Sequence, residues 1–248
     1  MVTMFALPRA RLRRSSPHRL DGRFRIIDIH ASTITRVTAR LAQRLRDETR
    51  ALHVDAERSP FMSVLLRGRM DRVAYAALLR NLLAIYEVLE PALARHAAHP
   101  ALAPLNLPAL ARLPSLRDDL ARVADPSDAT CDLRSAVVRY VARLRELDAA
   151  NPELLLAHAY VRYLGDLSGG QLLHDIVARS PGLGPRVGTA FYEFGDPAVA
   201  STLAVGFRSS LDRAVVDDPD AVVAEARLAF TWHRELFDEL ARGFGLSA

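Results

Sequence analysis

Lysine is missing from this sequence of 248 residues, so all 33 basic side chains are arginine. So uniform a replacement points to the coding bias of a GC-rich genome rather than to any charge chemistry. Cysteine is nearly missing too. The lone Cys131 excludes an intramolecular disulfide and any cysteine-held zinc or iron–sulfur site, and makes a reducing, cytoplasmic interior the expected compartment. No apolar run reaches the roughly 18 residues that a membrane span needs, so none is expected. Aromatic residues make up only 6% of the chain, which leaves leucine and alanine to build the core. The formal net charge of +4 is carried by the N-terminus: residues 1–30 hold seven arginines against Asp21 and Asp28, and the rest is slightly acidic. Charge therefore gives no support to nucleic-acid binding by the main domain.

Half of the chain is apolar, enough for one full core. Residues 1–33 lack a sustained apolar period and read as a disordered, Arg-rich extension. From residue 34 to 243 the apolar period is that of helices, and 244–248 form a short polar tail. The first helix is expected to end at about 58, before Ser59-Pro60, with Leu41, Leu45, Leu52 and Ala56 facing inward. A second is expected after Asp71, a suitable N-cap, and to reach about 97 with a kink at Pro91. Pro100, Pro104, Pro108 and Pro114 make 99–115 mostly loop. Further helices fit 115–124, 133–149, 153–179, 196–213 and 219–242. No segment alternates with period two, so the fold class is all-α.

Within 153–179, "YVRYLGDLSGGQLL" places Gly165, Gly169 and Gly170 inside an otherwise helical pattern. Each interior glycine costs about 1 kcal/mol relative to alanine. One reading is a loop, with Gly165 as a C-cap and a second helix starting near Ser168. The other is a kinked helix whose backbone is closely approached by something flat or bulky, since Gly165 and Gly169 share a bare face.

Paired Glu-x-x-His segments of a di-iron bundle are absent. "GLGPRVG" at 182–188 misses the dinucleotide fingerprint and follows no strand. Among eight histidines, His53 has the most informative neighbours. Glu57 lies one turn on and can orient the ring toward a metal, while Arg46 and Arg50 occupy the preceding turns. His158 is the competing candidate.

"LRDETRALHVDAERSPFM" followed by "ELLLAHAYVRYLGDLSGGQLL" resembles the heme oxygenase family, and the resemblance runs from about residue 40 to 242. It also takes in "IYEVLE", "RYVARL", "FGDPAVASTLAVGFRSSLD" and "AFTWHRELFDEL". It implies an all-α, single-domain bundle holding heme b between a proximal helix and a glycine-kinked distal helix. Heme would be both cofactor and substrate, opened with O2 and external electrons to biliverdin, carbon monoxide and Fe(II). By the same resemblance His53 is the proximal iron ligand and Glu57 its partner. Tyr86, Tyr140, Arg162 and Asp166 match the distal hydrogen-bond network. Gly165, Ser168, Gly169, Gly170, Tyr160 and Phe230 fall at heme-contacting positions, and Arg46, Arg50 and Arg208 at basic positions that suit the propionates. Taken alone, Arg162 and Asp166 are an ordinary i,i+4 pair.

Ala204 stands where the family carries a propionate-binding lysine, a departure that bears on which meso carbon is cut. His158 matches a position that is not a ligand, and its loss is expected to change little. The electron donor implied is of the ferredoxin, flavodoxin or flavin-reductase type. Two other classes remain open: a carrier or sensor that binds heme without degrading it, and a thiaminase-type helical enzyme.

Overall fold

Leucine and alanine at helical spacing fold into ten α-helices among the described residues, which in this computed structural model are 40–125, 133–183 and 188–247. The Arg-rich extension and Cys131 lie outside them. Helix α1 spans Leu41–Glu57 and buries Leu45, Thr49 and Ala56, with Leu41 and Leu52 packed against the core. The expected stop at Ser59-Pro60 is also a start. The Ser59 side chain accepts a hydrogen bond from the Met62 N–H, and Pro60 opens α2 (Pro60–Leu66), a helix the sequence reading did not separate.

Asp71 caps α3 (Arg72–Arg95) by accepting from the Ala74 N–H at 2.8 Å, and the helix runs on through Pro91. The proline-rich segment contains a short α4 (Leu107–Leu110), and α5 (Leu113–Val123) begins two residues before its expected start. Glu90 of α3 accepts the N–H groups of Arg112 and Leu113 at 2.5 and 3.3 Å, satisfying donors at the start of α5. Helix α6 covers Ser135–Ala150.

The expected helix over 153–179 opens with a 3-10 turn and becomes α7 (Leu155–Ala159), a π-helical turn (Tyr160–Leu164) and α8 (Gly165–Arg179) without a break. Gly165 has ordinary helical angles, φ −62° and ψ −48°. The loop reading of the glycines therefore fails, because a C-cap glycine takes positive φ. Helices α9 (Pro197–Arg213) and α10 (Pro219–Gly243) complete the bundle, each capped by an aspartate, Asp196 and Asp218. At the C-terminal end of α10, Gly245 has φ +62°, and the N–H groups of Gly245 and Leu246 return to the Arg242 and Ala241 carbonyls. That is a Schellman-type cap, and Phe244 and Leu246 pack back on the core.

Helix α10 packs along α1, α2, α6 and α7, while α3 packs on α5 and α6. Tyr75, Tyr86, Tyr140, Tyr163, Phe61 and Phe191 are the largest fully buried side chains. Among the described residues no helix is long and apolar enough to cross a membrane.

Candidate active site

A cleft of about 300 Å³ opens between α1 and α8, with α10, α2 and α3 contributing to its walls. From α1 come His53, Ala56 and Glu57; from α8 come Gly165, Asp166, Ser168 and Gly169; from α10 come Phe230 and His233. The His53 imidazole is half exposed, with Nδ1 3.7 Å from the Glu57 carboxylate and its ring set against the Phe230 ring at 5.9 Å. The i,i+4 spacing on α1 puts the histidine and the carboxylate on one helix face.

The three glycines do not serve one purpose. A Cβ at Gly165 would meet nothing within 4 Å, and one at Gly169 only the Leu173 side chain at 3.9 Å. Those two present bare backbone to the cleft. Gly170 is turned away from it, and a Cβ there would stand 3.0 Å from the Tyr192 carbonyl oxygen. The space left by its missing side chain is thus taken by the Tyr192 backbone, and Gly170 does not line the cleft. The turn it touches, Ala190–Tyr192, is pinned by Asp119, whose carboxylate accepts the Ala190 and Phe191 N–H groups at 3.0 and 2.7 Å. Arg112 adds a bond to the Glu193 carbonyl at 2.7 Å and lies over the Phe194 ring. Sequence reasoning missed Asp119 and Arg112, which act on a turn about seventy residues away and carry no local signal.

Behind the glycines lies a polar network. Asp166 accepts from the Tyr86 hydroxyl and from Arg162 Nη2 at 2.7 Å; Arg162 Nε also reaches the Tyr86 oxygen at 3.4 Å. Burial raises the Asp166 carboxyl above its ordinary range, with Arg162 and Tyr86 opposing. Burial alone would lower the Arg162 pKa, but Asp166 and the two tyrosines outweigh it and keep the guanidinium firmly charged. Tyr86 and Tyr140 are themselves fully buried and stand behind the lining.

Tyr140 enters by a second chain: its hydroxyl lies 3.0 Å from His158 Nδ1, and His158 Nε2 lies 3.1 Å from Glu225 Oε1. Glu225 is also held by Arg143 at 2.8 Å. Burial opposes ionisation of Glu225, yet these bonds prevail and bring its carboxyl down to about 2. An ionised Glu225 only accepts, so His158 Nε2 donates to it and Nδ1 accepts the Tyr140 hydroxyl hydrogen. His158, fully buried between two partners, is thus not the dispensable residue the sequence suggested.

At the other end, the Tyr160 hydroxyl lies 3.1 Å from Thr49 Oγ1, which itself donates to the Leu45 carbonyl. Burial opposes ionisation of that hydroxyl, and the Thr49 bond and the charges of the exposed Arg208 on α9 and Arg46 on α1 favour it. Arg50 is exposed on α1. Ala204 is buried, 7% exposed, against the core.

The family model described as heme oxygenase matches residues 39–239. The chain belongs to the heme oxygenase family. Heme oxygenase 1 of Nostoc sp. is 36% identical over 207 residues, 82% of this chain and 87% of that protein. Heme oxygenase of Porphyra purpurea is 37% identical over 203 residues, 81% and 86% of the two chains. Among solved structures, heme oxygenase-2 of Synechocystis sp. in complex with heme and NO superposes with a TM-score of 0.76 at 35% identity, covering 82% of this chain and 86% of that one. Family membership carries heme oxygenase activity and the all-helical single-domain fold. The carrier and thiaminase-type alternatives give way to it.

Proposed function

We propose that heme binds as substrate in the cleft between α1 and α8, where His53 would hold its iron through a ring nitrogen. The observation that carries this reading is one cleft bounded by an accessible imidazole on one helix and by bare glycine backbone on another. The residues fit a flat macrocycle: the space in front of Gly165 is open, Ala56, Leu65, Leu82 and Phe230 supply apolar wall, and His53 offers a nitrogen donor. Glu57, one turn on, steadies the ring through its carboxylate.

When bound, heme supplies both the iron at which dioxygen reacts and the ring that is opened to biliverdin, carbon monoxide and Fe(II). The chain's part is to orient, to exclude water and to deliver protons. Asp166, fixed by Arg162 and Tyr86, is too short to serve best by direct contact and holds ordered waters that carry the protons in. Arg46 and Arg208, beside the Tyr160 hydroxyl, take the propionate carboxylates in charge-assisted bonds, a task Ala204 cannot share. Electrons come from a protein or flavin reductant of the ferredoxin, flavodoxin or flavin-reductase type.

Hemin titration, followed by reductant and air, tests the reading: a Soret band should form and then be lost as biliverdin appears on chromatography. His53→Ala should abolish the axial-ligand spectrum, and added imidazole should partly restore turnover. An unchanged ligand-field spectrum in that variant would remove His53 from the role.

A further inference from the structure

His233 is buried on α10, lines the cleft, and contacts the distal network by a route the sequence did not suggest. Its Nδ1 lies 2.9 Å from the Ala229 carbonyl oxygen on its own helix. A carbonyl only accepts, so Nδ1 carries the hydrogen. Its Nε2 lies 2.7 Å from Arg162 Nη1. A guanidinium only donates, so Nε2 must present its lone pair. One tautomer of the neutral imidazole satisfies both contacts, and the protonated ring would set N–H against N–H.

The groups facing His233 agree. Arg162 approaches from the π-helical turn, Tyr140 stands edge-on from α6 at 5.2 Å, His158 adds its field from α7, and Phe237 lies one turn along α10. None of these carries a carboxylate, and only the Ala229 carbonyl favours the cation. Burial, with the Arg162 charge, holds the ring pKa down to about 3.

We infer that His233 is a positioning residue for the proton-delivering carboxylate. As the Nδ1–H tautomer anchored on Ala229, it accepts from Arg162 and so fixes the guanidinium that orients Asp166. Arg162 is gripped from two sides, by Asp166 through Nη2 and by His233 through Nη1. With the Nη1 grip gone, the guanidinium is held only by Asp166 and by its long contact to the Tyr86 oxygen, so it turns more easily and shifts the Asp166 carboxylate with it.

The inference rests on the reading of Asp166 given above, and the experiment separates the two. In the apo protein, ¹⁵N spectra of labelled histidine should show His233 protonated at Nδ1 and bare at Nε2, with no titration from pH 8 to 5. An Nε2–H tautomer, or titration near pH 6.5, would overturn the anchor whatever Asp166 does. His233→Leu fills the space without an acceptor, whereas His233→Gln keeps one. In the leucine variant the acid–alkaline transition of the ferric heme complex, read from its visible spectrum, should shift. Its biliverdin formation should fall about tenfold or more, with hemin affinity near the parent's, and the glutamine variant should recover most of both. Equal loss in the two variants, or loss of hemin affinity alone, would show a merely structural residue. If the leucine variant does not fold, the histidine spectra and the glutamine variant still decide.

Discussion

Replacing Gly165 by alanine should stabilise the protein and weaken its grip on heme. The backbone there is already helical, φ −62° and ψ −48°, and a Cβ would meet nothing within 4 Å. No strain opposes the change, so the apo protein should gain the full propensity difference of about 1 kcal/mol. For a domain of this size that raises the melting temperature by about 2–4 °C. The same methyl group projects into the space a macrocycle would fill. Overpacking of one methyl costs about 1–3 kcal/mol, which is about five- to 150-fold in hemin affinity. Gly170→Ala supplies the control of opposite sign. Its Cβ would press on the Tyr192 carbonyl at 3.0 Å, in a turn that Asp119 holds in place, so the apo protein should lose stability despite the same gain in propensity. Urea unfolding of the apo variants and Soret titration give both quantities. An apo protein destabilised by Gly165→Ala, or stabilised with unchanged hemin affinity, would refute the bare-backbone argument.

Asp166→Ala should still bind hemin but divert the reaction from ring opening; a normal yield of biliverdin would mean that protons arrive by another path. Arg208→Ala should change the biliverdin isomer mixture more than overall affinity. A charged contact to a propionate is worth about 1.5–3 kcal/mol, enough to bias two heme orientations about tenfold. An isomer ratio indifferent to this change would assign orientation to the apolar walls. His158→Ala should cost about 1–3 kcal/mol for the buried Tyr140 hydroxyl left without its partner, as measured by urea unfolding, while Glu225 keeps Arg143. Glu225 also sets an acid limit. Its carboxyl titrates at about 2 in the fold against 4.5 when free, so the unfolded chain takes up the proton first. The stability this group contributes above about pH 4.5 is therefore lost as pH falls toward 2, and Glu225→Gln should flatten that part of the profile.

The apolar period made the long helices legible. Asp71 also announced the start of α3, whereas α9 was placed by its period and its cap, Asp196, was read only in the fold. Ser59-Pro60 marked the end of α1 correctly but hid the start of α2, because the dipeptide that stops one helix is also a good start for the next. The π-helical turn was invisible, since Tyr160–Leu164 has ordinary helical composition and only its hydrogen bonding differs. In the site, His53 with Glu57 and Arg162 with Asp166 were legible because each pair lies one turn apart on one helix. The bonds from Tyr86 to Asp166, His233 to Arg162 and Asp119 to Phe191 join positions 71 to 80 residues apart, and no local spacing encodes them. Gly170 looked like its neighbours because a glycine does not say which side of the helix is crowded.

The π-helical turn also gives this segment one residue to spare. Such a turn holds one residue more than an α-turn, so the residue above position i is i+5 instead of i+4, and the helix leaves the turn in nearly the phase an α-turn would have given it. Losing one residue within 160–164 would let the segment close into regular α-helix with α8 still turned toward the cleft. Each residue of an α-helix advances the chain by about 100°, and a residue lost from within α8 itself finds no such surplus. There all that follows, Gly169 included, would turn by about 100° against all that precedes. A library of single-residue deletions would therefore find the cleft's outline kept for losses within 160–164 and its two walls out of phase for losses between 166 and 168.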